Sequence, residues 1–220
     1  MGQGKRTAQA ACRWGYGCGW RRAIATGAIV CAALALSLIV GTACHEVVGH
    51  GLVGALCGGT IEYVDMLGVE FYPEFRWIGW PAGLYFGHCN VAGLPSKLAE
   101  DLMSLGGSLS TWCVAVAATC VLCLGKRRGW PAAVLAALSL WWIDALSYTL
   151  PVWGLRKAVF WGSKYPEPYV AATTLGCPGW LFQAIVISGS LLMAASVLTR
   201  LTCVRRREGE LRANHGQDGY

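Results

Sequence analysis

The chain alternates between long apolar runs and short polar connections, and the run lengths limit what each can be. Ala23 to Cys44 is 22 residues without a charge and Leu102 to Gly125 is 24. Pro131 to Leu155 is interrupted only by Asp144, and Gly179 to Thr199 is another 21 uncharged residues. At about 1.5 Å per residue, each run is long enough for a helix to cross a hydrocarbon core of roughly 30 Å. The first run continues past Cys44 through Val47, Val48, Leu52, Val53, Ala55 and Leu56, and stops at Gly58-Gly59, a C-terminal breaker. The pattern predicts helices over about 23–56, 102–125, 131–151 and 179–200.

After the first helix the apolar positions change their spacing. Ile61, Tyr63 and Val64, then Val69 and Phe71, flank Leu67-Gly68 and predict a short hairpin over 60–71. Pro73 to Pro95 is rich in Gly, Pro and aromatics (Phe75, Trp77, Trp80, Tyr85, Phe86) and reads as a loop or re-entrant segment at the outer surface. The expected fold class is an all-α membrane protein of about four transmembrane helices with a short β-hairpin after the first. Residues 23–201 form one polytopic domain between a basic lead, 1–22, and a basic, disordered tail, 202–220. Small residues at Gly106-Gly107-Ser108-Leu109-Ser110 and Ser188-Gly189-Ser190 are expected to let helices approach closely.

Composition supports this class, since 55% of the 220 residues are apolar and only 14% are charged. The charges are sorted. Lys5, Arg6, Arg13, Arg21 and Arg22 precede the first helix, and Lys126-Arg127-Arg128 and Arg205-Arg206-Arg207 follow the second and fourth. The 57–101 connection carries Glu62, Asp65, Glu70, Glu74, Glu100 and Asp101 against Arg76 and Lys97. By the positive-inside rule both termini are cytoplasmic and the 57–101 and 151–178 connections are outside. The net charge of +6 is then a topology signal, and the expected partner is the lipid bilayer rather than nucleic acid. The run before Cys44 exceeds a signal-peptide core, so the first helix is expected to be retained. Of the eleven cysteines, most fall in helices and behave as small hydrophobes, while Cys57, Cys89 and Cys177 lie where an outer disulfide is allowed.

The chemistry is concentrated at His45-Glu46-Val47-Val48-Gly49-His50, at the end of the first apolar run. Ionisable residues there are costly to bury and mark a functional site by default. Imidazoles and carboxylates are zinc ligands, usually arranged on a helix as H-E-x-x-H. Here the histidines are five apart, about 500° of ideal helix, which leaves them roughly 140° from one another. Two arrangements repair this. A π-bulge absorbs one residue, helped by Gly49. Alternatively the helix stays ideal, Glu46 and His50 bind metal together, and His45 stands behind them. Asp144 is the other intramembrane charge and needs a partner, which a metal shared with His45 and His50 would supply.

These parts resemble the site-2-protease group of intramembrane zinc metallopeptidases, peptidase family M50, particularly its short bacterial members. The likeness runs from His45-Glu46 and His50 through Cys57-Gly58-Gly59, the 60–71 hairpin and Gly106-Gly107-Ser108-Leu109 to Asp144 and Pro151. The histidine spacing is one residue longer than in that family, and Asp144 is followed by Ala145 rather than Gly. The resemblance implies zinc held by His45, His50 and Asp144, with Glu46 as the base that activates water. It implies hydrolysis of a peptide bond in or near a membrane-spanning substrate, held by strand addition to the hairpin, in a bacterial inner membrane. The alternative is a catalytically inactive protease-like membrane protein acting as a binding or structural module. A hydrogen-bonded structural cluster and a metal-bound carrier use the same residues.

Overall fold

The computed structural model describes residues 4–79, 87–125, 129–149 and 165–217, with side chains from residue 24 to residue 203. Trp80, Tyr85, Phe86 and Pro151 lie outside the described residues, as does the first half of the 151–178 connection. The chain divides into two units, Met1–Leu38 and Ile39–Tyr220. The first unit belongs to helix α1 (Gly4–Ala43), and its described apolar side chains, among them Ile24, Ile29 and Leu36, are exposed.

In the second unit α1 passes into a π-helical segment, Cys44–Leu52, and then into α2 (Val53–Leu56). The chain stops there as the sequence predicts. Gly58 has φ +92°, its N–H donates to the Ala55 carbonyl, and the Gly59 N–H donates to that of Gly54 at 3.0 Å, the Schellman arrangement. Strands β1 (Thr60–Met66) and β2 (Val69–Tyr72) then form the expected hairpin. Leu67 and Gly68 both have positive φ, which is what a two-residue type I′ turn requires. The 73–95 stretch is not merely a loop. It supplies β3 (Arg76–Trp77) and β4 (Gly87–Ala92), giving a four-stranded antiparallel sheet in the order β3-β2-β1-β4.

Helix α3 (Lys97–Leu124) starts five residues before the uncharged run. Ser96 caps it by accepting from the Ala99 N–H at 3.2 Å, and Lys97 pairs with Glu100 and Asp101 at 3.3 and 3.0 Å. A charge-free window misses such an opening turn. The third apolar run is two helices, α4 (Trp130–Ser139) and α5 (Trp142–Thr149). At the junction the Trp141 N–H reaches the Leu138 carbonyl and the Asp144 N–H reaches that of Trp141, so the backbone tightens to i→i+3 bonding. A short helix, α6 (Glu167–Thr174), follows, and α7 (Gly179–Gln217) continues well into the stretch expected to be a disordered tail.

Four helical stretches are long and apolar enough to cross a membrane: Ile24–Leu56, Lys97–Leu124, Trp130–Thr149 and Gly179–Cys203. Arg200, near the end of the fourth, donates to the Leu122 and Gly125 carbonyls at 3.2 and 3.0 Å and so satisfies the open C-terminus of α3. The core gathers Ala115, Trp141 and Met193 from α3, the α4–α5 junction and α7. The Trp112 indole lies where a Cβ on Gly189 would be, so the small residues of α7 do serve packing. Cys57, Cys89 and Cys177 are free thiols, and no disulfide joins them.

The π-helical segment and α3 meet through glycines. A Cβ on Gly49 would meet the Gly106 carbonyl oxygen at 2.7 Å and the Gly107 nitrogen at 2.8 Å, both backbone atoms that cannot swing away. Gly49→Ala is therefore expected to destabilise the protein by about 1–3 kcal/mol, read as a lower thermal midpoint in detergent. Gly27→Ala, with nothing within 4 Å of the new methyl group, should leave the midpoint unchanged or raise it slightly.

Candidate active site

Of the two ways to reconcile the histidine spacing, the structure adopts the widened helix. Bonds from i to i+5 through Cys44–Leu52 bring residues five apart onto one face. The His45 and His50 Nε2 atoms stand 3.1 Å apart, with the rings edge to face and their centroids at 4.8 Å. Gly49 and Gly51 flank His50, so the distortion meets little side-chain resistance.

The opposite ring nitrogens are committed. His50 Nδ1 lies 3.0 Å from the Met103 carbonyl oxygen, and His45 Nδ1 lies 2.7 Å from Asp144 Oδ2. Carbonyl and carboxylate oxygens only accept, so each Nδ1 carries the proton and donates it. Asp144 Oδ2 also accepts from the Thr111 hydroxyl at 2.6 Å. The i→i+3 turn just before Asp144 sets where α5 begins and hence where this carboxylate points. Tyr148, one turn along α5, stacks on His45 with centroids 5.6 Å apart and planes 13° from parallel. His45, His50 and Asp144 are all buried.

If both rings are neutral, two Nε2 lone pairs face each other at 3.1 Å with no hydrogen between them. Two states relieve that repulsion: a proton that makes one ring an imidazolium, or a cation between the rings. Two nitrogens on one tetrahedral zinc stand roughly 3.3 Å apart, so the spacing suits the second state without moving either ring far. Gly107 of α3 faces the gap, where a Cβ would sit 2.6 Å from both Nε2 atoms. The space beside the nitrogens exists because that residue lacks a side chain. Among the described residues no three His, Cys, Asp or Glu side chains are gathered as a ready metal cage. The preorganised element is a donor pair.

Two further carboxylates, Glu46 and Glu167, lie near the pair, and a third, Asp65, lies within reach of Glu46. Glu46 is buried within electrostatic reach of His45, Glu167 and Asp65, and its Cγ would be 2.8 Å from a Cβ on Gly87, the first residue of β4. Glu167, at the start of α6, brings Oε2 to 3.7 Å from His50 Nε2, with its side chain 33% exposed. Asp65 on β1 is buried, with Oδ1 3.9 Å from His88 Nδ1 and Oδ2 without a hydrogen-bond partner. Burial raises the Asp65 carboxyl above the usual 3.8, the His88 ring opposes this and Glu70 adds to it. The Cys89 thiol on β4 is pushed up to about 11 by burial and by the Glu46 charge.

The structure thus brings together His45, Glu46, His50 and Asp144, the four residues singled out from sequence. Asp144 differs from expectation in its contact, which is with the far nitrogen of His45 rather than with the gap between the rings. Glu167, Thr111 and the Met103 carbonyl were not anticipated. Glu167 carried one signal, as an acid between Pro166 and Pro168 in an otherwise basic connection. His88 lies on β4, half-exposed, and takes no part in the pair. No family model matches the chain, and no curated protein or solved structure was found similar to it.

Asp65 makes the sheet sensitive to pH. A carboxyl whose value is raised by folding favours the fold while protonated, so its contribution is complete below 3.8 and is lost as pH rises through the raised value. The thermal midpoint of Asp65→Asn relative to the parent protein should therefore climb as pH increases from about 3.8 and then level off. A difference that stays flat across that range would mean the Asp65 carboxyl titrates normally.

Proposed function

We propose that the protein is an intramembrane metal-dependent peptidase, kin to the site-2-protease group, with zinc (Zn2+) as the metal. The observation that carries this reading is the pair of Nε2 atoms 3.1 Å apart, beside a buried glutamate, in a helix apolar enough to cross a membrane. Local charge supports it. Asp144, Glu46 and Glu167 surround the two imidazoles, while the described cations are engaged elsewhere: Arg76 on Glu70, Lys97 on Glu100 and Asp101, and Arg200 on carbonyls of α3. A divalent cation would offset that excess of negative charge.

His45 and His50 would hold the metal through Nε2. Their Nδ1–H groups are oriented by Asp144 and by the Met103 carbonyl, the hydrogen-bonded support that fixes the tautomer and raises ligand basicity. Bound zinc supplies Lewis-acid polarisation of the scissile carbonyl and acidifies a water. Glu46 accepts the proton of the attacking water and delivers it to the leaving amine, as a general base and then a general acid. Its burial lets it hold a proton away from bulk solvent between the two transfers. The substrate is a segment of a membrane protein that has lost helical structure locally, because a helix shields its carbonyls. β1 is flanked on both sides, so β4 is the strand with an open edge near Glu46, and an unwound segment would pair there. Sorted charge supports both termini on the cytoplasmic side, and the likeness to the short bacterial members of that group supports a bacterial inner membrane.

A non-enzymatic module built on the same cluster is the competing reading, with a shared proton in place of the cation. Purified protein should contain about one zinc per chain. Glu46→Gln should keep the metal and lose about 10²–10⁴ of the cleavage rate on a transmembrane peptide substrate. Metal-free, folded protein would overturn the hydrolase reading. Gly107→Ala places a methyl group against both Nε2 atoms and should strip the metal while the helices stay folded.

A further inference from the structure

The geometry points to Glu167, rather than Asp144, as the third metal-binding side chain, delivered by the non-spanning helix α6. This rests on the metal-site reading above and assigns its remaining protein ligand. Catalytic zinc takes three protein donors and leaves one position open. With both Nδ1 atoms donating outward, the metal-facing atoms are the two Nε2 lone pairs, so a third donor must lie on the Nε2 side. Asp144 Oδ2 lies on the opposite side of the His45 ring, 2.7 Å from Nδ1, and also accepts from Thr111. An acceptor engaged twice there is placed to orient an imidazole. Glu167 Oε2 is 3.7 Å from His50 Nε2, and its charge reaches His45 and Glu46.

The backbone positions Glu167 for this. It opens α6, with Pro168 buried behind it and Ala171 and Ala172 buried one turn on, so the helix is seated by small apolar residues. Its partly exposed carboxylate also marks the side of the pair open to solvent, from which water would enter. Ligand and covering element are then the same segment. α6 cannot leave the site without taking a donor from the metal, and it cannot dock without bringing a carboxylate to it.

The test uses full-length protein in detergent, stripped with chelator and reloaded with Zn2+ or with Co2+ as a spectroscopic probe. Wild type, Glu167→Gln, Glu167→His, Asp144→Asn and His50→Ala are compared by zinc stoichiometry, by zinc affinity against a competing chelator and by cobalt ligand-field absorption. Thermal midpoints of the metal-free proteins report folding. Asp144→Asn should lower affinity by about 10–100-fold and leave the cobalt spectrum in place, as expected of a residue acting through His45. Glu167→Gln should lower affinity further and change the spectrum. Glu167→His, which supplies a nitrogen donor, should restore binding with a spectrum of its own. Metal that is lost in His50→Ala but keeps its affinity and spectrum in Glu167→Gln would overturn the ligand assignment alone. A wild type that binds neither metal would remove the metal-site reading on which it stands. A metal-free Glu167→Gln protein with a collapsed thermal midpoint would make Glu167 a structural residue, and a failure of Glu167→His to rebind metal would confirm that against the proposal.

Discussion

Two imidazoles are buried with their Nδ1–H groups donating outward and their Nε2 atoms 3.1 Å apart, and the fold is arranged around that pair. With both rings neutral this arrangement is unfavourable in itself, because a buried acceptor without a donor costs about 1–3 kcal/mol. In that state the two acceptors also repel. Several independent features hold them in place: the Asp144 carboxylate, the Met103 carbonyl, the stacked Tyr148 ring and the absence of a side chain at Gly107. Those supports hold the two rings in one geometry, which is what a preorganised ligand site requires.

The backbone departs from ideal helix on both sides of the pair, in opposite directions. The Cys44–Leu52 segment is widened so that His45 and His50 coincide, while the turn before Asp144 is tightened so that its carboxylate meets His45. Between them α3 contributes Gly106 and Gly107, which allow its backbone to lie against Gly49 and leave the nitrogens uncovered. The same glycines thus serve helix packing and the site. A larger residue at Gly107 would fill the gap between the rings, and one at Gly49 would push α3 away from it.

The sheet and α6 bring further carboxylates to the site. β4 begins against Glu46, and β1 carries Asp65 into the same electrostatic neighbourhood. The result is a concentration of carboxylates around two imidazoles, with the described arginines and lysine drawn off to other partners. A divalent cation between the rings, or a proton that makes one of them an imidazolium, would offset that charge.

The sequence by itself determined the elements whose signals are local. Uncharged runs of spanning length, the Gly58-Gly59 stop, the Leu67-Gly68 turn and the clustering of His45, Glu46 and His50 are all properties of neighbouring residues. It also narrowed the five-residue spacing to two backbone solutions. Only tertiary structure decided between them, because an ideal helix and a π-helix differ in what packs against them rather than in composition. Tertiary structure likewise decided that Asp144 meets the far nitrogen of His45, that β3 and β4 complete the hairpin into a sheet, and that α3 opens at Lys97. Glu167 reaches the site from 117 residues beyond His50, through a short helix with no period or motif to announce it. Contacts of that range depend on how helices dock, and the apolar runs that do the docking are nearly interchangeable as strings of letters.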